Sequence, residues 1–223
     1  MAMWLRFLWR FAHLEPTSDA HHMVVHSVIS LCRGGIFDAI GGGFHRYSTD
    51  DRWLVPHFEK MLYDNGQLLH LYAEAYRYFK KPLYKHVLLQ TKDWLVREMQ
   101  NTDGAFFSAL DADSEGEEGK FYIWKKSEIE AILGEEAAPF CETFEFSEHG
   151  NWEHGNNVVH LEERDFMENG FPLSKEIKQK LFDFRAKRIR PGLDDKILCS
   201  WNGLMLKGLV DAYRYLDTPK FLN

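Results

Sequence analysis

A chain of 223 residues that is 45% hydrophobic and 15% aromatic is long enough to bury a core and too apolar to be disordered. Its formal net charge is −7, and its lysines and arginines are scattered among acids instead of forming a stripe, which argues against nucleic acid as a partner. Arg6 and Arg10 interrupt the first apolar run and no stretch nears the roughly 20 apolar residues of a membrane span, so neither a signal peptide nor a span is expected; three cysteines without a CxxC spacing do not suggest a disulfide framework, and a reducing, cytoplasmic setting is expected.

Helical periodicity predicts elements over 3–13, 18–33, 57–79 and 83–99. In the first of these, Trp4, Phe7, Leu8 and Phe11 form an apolar stripe that reads as a core-facing side. Segments 105–110 and 120–124 read as two short strands around an acidic turn at 111–119. Helices follow over 125–133 and 135–145, then a strand over 157–161, then helices over 174–188 and 200–216. The expected class is all-α in the main, a single domain over 1–223 built from helical hairpins, with short β-hairpin insertions.

The chain also repeats itself. Asn65-Gly66-Gln67-Leu68-Leu69 continues to Ala75-Tyr76-Arg77-Tyr78 and Pro82; Asn202-Gly203-Leu204-Met205-Leu206 continues to Ala212-Tyr213-Arg214-Tyr215 and Pro219. Every matched pair shares the 137-position offset that separates Asn65 from Asn202. Repeated hairpins bury their faces only against neighbours, so a solenoid or a closed α/α toroid is expected, here incomplete, because a further hairpin would have to follow Pro219. Each apolar stripe carries one Asn near its start. A buried amide needs partners, so Asn65 and Asn202 either bind a neighbouring loop or face a wet cavity.

Three loops concentrate reactive side chains. The first runs from Gly41 through His45, Arg46, Trp53 and Pro56 to His57, Glu59 and Asp64. With Pro56 opening the next helix, His57, Lys60 and Asp64 would share one face, and the helix N-terminus would favour a neutral imidazole at His57, suited to a general base. The second, 111–119, fails as a calcium loop because Tyr122 stands where the bidentate Glu is required, but Asp111 and Asp113 leave an apolar strand and could face a pocket. The third carries Asp194, Asp195 and Lys196 ahead of Trp201 and Asn202. If the starts of the two repeat helices converge, carboxylates and aromatic rings meet there, which is the combination sugar recognition uses. His22 and His26 are four apart, but no metal-binding motif accompanies them; neither a metal nor another cofactor is expected.

The segments GGGFHRYSTDDRWLVPHFEKMLYDNGQL, SALDADSEGEEGKFYIW and RPGLDDKILCSWNGLML resemble the helical part of the spermatogenesis-associated-protein family of thioredoxin-domain proteins. That resemblance implies an (α/α)6 toroid of the six-hairpin glycosidase type, similar in architecture to N-acylglucosamine 2-epimerases. It also implies a thioredoxin-like domain upstream in longer members and a toroid that continues past Asn223. The expected function is a carbohydrate-active pocket, hydrolase or epimerase, taking a sugar-like small molecule. Its candidate acid/base groups are His57, Glu59, Asp64, Asp111, Asp194 and Asp195. The alternative is a non-catalytic helical scaffold serving the thioredoxin-like domain.

Overall fold

The computed structural model describes residues 1–161 and 170–216; Pro219, the last matched position of the repeat, lies outside them. Helices α1 (Ala2–Leu14) and α2 (Ala20–Arg33) form one hairpin, α3 (Leu62–Phe79) and α4 (Pro82–Trp94) the next. Lys80 ends α3 in the left-handed conformation, and Pro82 opens α4 at its first position, where a missing N–H costs nothing. One π turn, Leu95–Met99, extends α4. After the loops come α5 (Lys126–Leu133), α6 (Ala137–Thr143), α7 (Lys175–Arg185) and α8 (Cys199–Leu216). Ser174 caps α7 by accepting the Ile177 N–H at 3.2 Å.

The two repeat helices, α3 and α8, lie side by side and run in the same direction. Tyr63 meets Trp201, Gly66 meets Met205, His70 bonds Asp211, and Arg77 reaches Tyr215. On the other flank of α3, α1 is parallel too: Arg6 pairs with Glu74, and Trp9 packs on Tyr78 and Phe79. The result is a row of three parallel helices, α1, α3 and α8, as a helical-hairpin architecture requires. Trp9, Leu31, Tyr72, Tyr84 and Trp94 belong to the core between this row and the returning helices. A second core gathers Trp124, Phe140, Phe144 and Leu181 from α5 to α7.

Backbone contact joins α3 to α8. A Cβ added at Gly208 would stand 2.3 Å from the Gly66 carbonyl oxygen, and one added at Gly66 would stand 2.8 Å from Met205 backbone atoms. Neither neighbour is a flexible side chain that could swing away. Gly208→Ala is therefore expected to destabilise the fold by about 1–3 kcal/mol, the usual cost of forcing methyl-sized groups into a packed interior. Chemical denaturation measures it; a loss under 0.5 kcal/mol would refute this backbone contact.

The α1 stripe expected to face the core does not: Trp4, Phe7 and Phe11 are exposed, and Leu5, Trp9 and Ala12 are the residues that turn inward. Three further expectations about local structure are corrected. The helix expected from 57 begins at Leu62, because burial from Phe58 to Lys60 alternates with a period of two, Phe58 and Lys60 pointing inward and His57 and Glu59 outward. Pro56–His57 (β2) pairs instead with Tyr47–Ser48 (β1), so the helix dipole does not act on His57. Lys60–Met61 (β3), Ala109–Leu110 (β4) and Leu193–Asp194 (β7) form a three-stranded antiparallel sheet with β4 in the middle. The strand expected over 120–124 does not form: Glu115 and Gly116, both at positive φ, make a tight hairpin turn between Asp113–Ser114 (β5) and Glu117–Glu118 (β6). Of the strand expected over 157–161 only an isolated bridge between Asn157 and Trp124 remains.

Candidate functional site

Both repeat asparagines do the same job. The Asn65 side chain accepts the Phe44 N–H at 2.7 Å and donates to the carbonyls of Phe44 and Met61 at 3.0 and 2.9 Å. Asn202 accepts the Phe106 N–H at 2.9 Å and donates to the carbonyls of Phe106 and Leu198 at 2.9 and 3.1 Å. Each amide clasps one extended residue of a neighbouring loop and the carbonyl four residues back in its own chain. Of the two options in the sequence, the loop takes both side chains.

A sealed ionic cluster lies behind the first loop. Asp38 receives a two-pronged bond from Arg185, both contacts at 2.9 Å, and one from Lys60 at 2.7 Å. The Ile40 and Gly41 N–H groups donate to it as well, and Lys60 also donates to the Gly42 carbonyl at 2.7 Å. Burial alone would raise the Asp38 carboxyl; the Arg185 and Lys60 charges overcome it and hold the group well below the usual carboxylate range. Lys60 also faces the rings of Trp94 and Tyr122. The adjoining void of about 20 Å³ has room for one water and no ligand. Asp38 and Arg185 were not singled out from sequence; an Asp amid the apolar run 36–40 was the one available hint.

His45, expected to bind substrate, belongs to this interior. Its Nδ1–H donates to the Phe58 carbonyl at 2.8 Å, and its ring packs edge-on against Tyr122. Burial first, and the Lys60 charge next, push it down to about 3. His86 is lowered to about 4, by burial and then Lys178. In the unfolded chain both would take up protons near 6.5. Between that value and about 4 the unfolded state therefore binds more protons, and stability falls as pH falls. Asp64 acts in the opposite sense, since its raised group binds a proton in the folded state from about pH 6. The net expectation is a loss of about 3 kcal/mol between pH 7.5 and pH 5, to be read from urea unfolding at the two values. Equal stabilities would contradict the burial of the two imidazoles.

The exposed candidates gather at the shared N-terminal end of α3 and α8. Arg46 pairs with Glu59 at 2.9 Å. The His57 Nδ1–H donates to Glu118 at 2.7 Å, its Nε2 lies 3.7 Å from Glu59, and Tyr47 stacks on its ring at 5.0 Å. Tyr63 meets Trp201 edge to face, with ring centroids 4.8 Å apart. Asp64, at the start of α3, is pushed up to about 6 by burial, with the neighbouring Glu59 charge adding to the rise and Arg46 opposing it. Glu118 and Tyr63 were not among the candidates read from sequence: the β5–β6 hairpin brings in the first, and packing of α3 on α8 brings the second against Trp201.

The remaining candidates are dispersed around this end. The sheet register sets Met61, Ala109 and Asp194 side by side; Glu59 directly precedes β3, and Asp111 directly follows β4. Asp111 accepts its neighbour's N–H, from Ala112, and Asp194 pairs with Lys196 at 3.0 Å. Asp195 is exposed next to them, and Asp113 stands exposed on β5 opposite Glu118. Trp53 lies apart from all of these, lining a cavity of about 290 Å³ with Arg33, Arg52, Glu145 and His160. A larger one, about 610 Å³, is walled by Glu115, Lys120, Glu128 and Arg188 and includes none of the candidates.

Comparison with known proteins identifies relatives. Over 94% of its length the chain is 34% identical to spermatogenesis-associated protein 20 of Rattus norvegicus and 33% identical to that of Homo sapiens. The chain is a homologue of spermatogenesis-associated protein 20. The match spans 31% of each of these relatives, so the chain corresponds to about a third of spermatogenesis-associated protein 20. An uncharacterized protein of Caenorhabditis elegans is 33% identical over 98% of the chain and 35% of its own length. The resemblance read from the three loops is thereby borne out. No protein-family profile matches the chain. Among solved structures, a family 76 glycoside hydrolase from a bovine Bacteroides thetaiotaomicron strain superposes with a TM-score of 0.42 at 12% identity, over 96% of this chain and 42% of that one. No helix of the described residues is long and apolar enough to cross a membrane.

Proposed function

We propose that the end of the α3/α8 pair binds a sugar-like small molecule and acts on it by acid/base chemistry of the hydrolase or epimerase kind. The observation that carries this reading is the unlike setting of two carboxyls there: Asp64, raised to about 6, beside Glu59, which is ion-paired to Arg46. Acid/base catalysis on a neutral substrate needs one carboxyl that holds a proton near neutral pH and one that has released it. In these roles Asp64 is the proton donor and Glu59 the base, with His57 steadied by Glu118. Tyr47, Tyr63 and Trp201 offer ring faces for an apolar sugar surface, and Asp111, Asp194, Asp195 and Lys196 fringe the same side.

The test uses the full-length protein and a panel of mono- and oligosaccharides, read by thermal shift and then by turnover. A bound sugar at 100 times its Kd adds about 2.7 kcal/mol of stability. Asp64→Asn and Glu59→Gln are each expected to cut turnover at least 100-fold while leaving the shift in place, consistent with the usual share of a general acid or base. The reading is abandoned if no sugar shifts the protein, or if both variants turn over normally.

A second reading has its own support. Both Asn clasps and the Asp38 cluster are closed on themselves, and His57 and Asp194 already have partners. Such loops suit a rigid scaffold that presents a client to a thioredoxin-like domain elsewhere in the full-length protein. Deleting that domain would then abolish function, whereas Asp64→Asn would leave it intact.

A further inference from the structure

The cavity of about 610 Å³ has the size of a small-molecule site. On the β5–β6 hairpin successive side chains point to opposite faces, so while Glu118 turns to His57, Glu117 and its cross-strand partner Ser114 turn to the cavity. Phe121, Ile123 and Ile189 supply its apolar lining, the first of them buried and the last 61% exposed. These residues are held by bonds already made within the protein. Arg188 donates to the carbonyls of Phe121 and Ile123 at 3.0 and 2.6 Å and to Glu128 at 3.0 Å, and its guanidinium lies 4.2 Å from the centre of the Trp124 ring. The Ser114 Oγ–H donates to the Ile189 carbonyl at 2.6 Å, tying the hairpin to the chain after α7. A ligand would meet a surface set before it arrives, which lowers the ordering cost of binding.

The charges on its wall divide into those that are committed and those that are not. Glu115 and Glu117 both pair with Lys120, at 3.4 and 2.7 Å, and Glu128 pairs with Arg188. The Lys125 ammonium reaches only the backbone carbonyl of His154, and that of Lys187 stands 6.0 Å from the centre of the Phe184 ring. Among the described residues neither of these two lysines meets a carboxylate. We infer that this cavity binds a small organic acid with an apolar body, at a site separate from the α3/α8 end. The carboxylate of the ligand is taken by the Lys125 and Lys187 ammoniums, and its body lies on Phe121, Ile123 and Ile189. A cationic ligand would have to displace Lys120 or Arg188 from carboxylates they already hold. An anion without an apolar part would leave the Ile189 side chain in water, forgoing that share of the binding energy.

The test is isothermal titration calorimetry of the 223-residue chain with 4-phenylbutyrate. Saturable binding is expected, at least about tenfold tighter than that of 4-phenylbutylamine, which reverses the charge, and of butyrate, which lacks the ring. Lys187→Glu and Ile189→Asp should each weaken the binding by at least about tenfold. Both side chains are exposed and neither holds an ion pair, so both variants should melt close to wild type, which separates a lost site from a damaged fold. The absence of saturable binding overturns the inference, as does equal affinity for the amine or for butyrate. Undiminished binding by either variant overturns it too, because the acid would then sit elsewhere on the chain.

Discussion

Asp38→Ala is expected to lower the unfolding free energy by about 3–5 kcal/mol, since removing one partner of a buried ionic cluster leaves the others charged and unpaired. Here two cations would be stranded at once, Lys60 and Arg185, each almost fully buried. The Ile40 and Gly41 N–H groups would lose their acceptor as well. Urea unfolding followed by tryptophan fluorescence gives the number. Adding Lys60→Met to Asp38→Ala should restore part of the loss, because it removes one stranded charge and fills the space between Trp94 and Tyr122. A single-variant loss below 1 kcal/mol would mean that water reaches the cluster.

Asn65→Leu is expected to cost about 2–4 kcal/mol, because the Phe44 N–H and C=O would both be left buried without a partner. Asn202→Leu breaks the same three bonds at the matching place in the second repeat, but Phe106 is only partly buried, so water can replace some of them. About half the cost is expected there. Paired denaturation curves for the two variants test whether the repeat is energetic as well as geometric. Equal losses would mean that exposure does not set the difference, and a negligible loss at Asn65 would exclude the clasp.

Much of the architecture was legible in the residues. The 137-position repeat identified two equivalent helices, and they prove to be parallel neighbours. The same repeat marked one buried amide in each, without deciding between loop and cavity. The site was legible only in part. His57, Glu59, Arg46 and Asp64 do meet, but in a strand-and-helix setting instead of along one helix, since Pro56 was read as a helix start when Phe58 and Lys60 alternate inward. Trp53 was expected with them and lies elsewhere, because the turn that Asp50 closes by accepting the Arg52, Leu54 and Val55 N–H groups carries it to another cavity.

What the sequence determined by itself was local and periodic: the helical class, the repeat, and the amides that had to find partners. Those follow from forces acting within a few residues or from patterns that recur along the chain. Only the tertiary structure decided that Asp38 meets Arg185 across 147 positions, that Glu118 meets His57 across 61, and that burial raises Asp64 while neighbouring charges lower Asp38. Electrostatic environment is a property of everything nearby in space, and no spacing in the chain encodes it until the helices are packed.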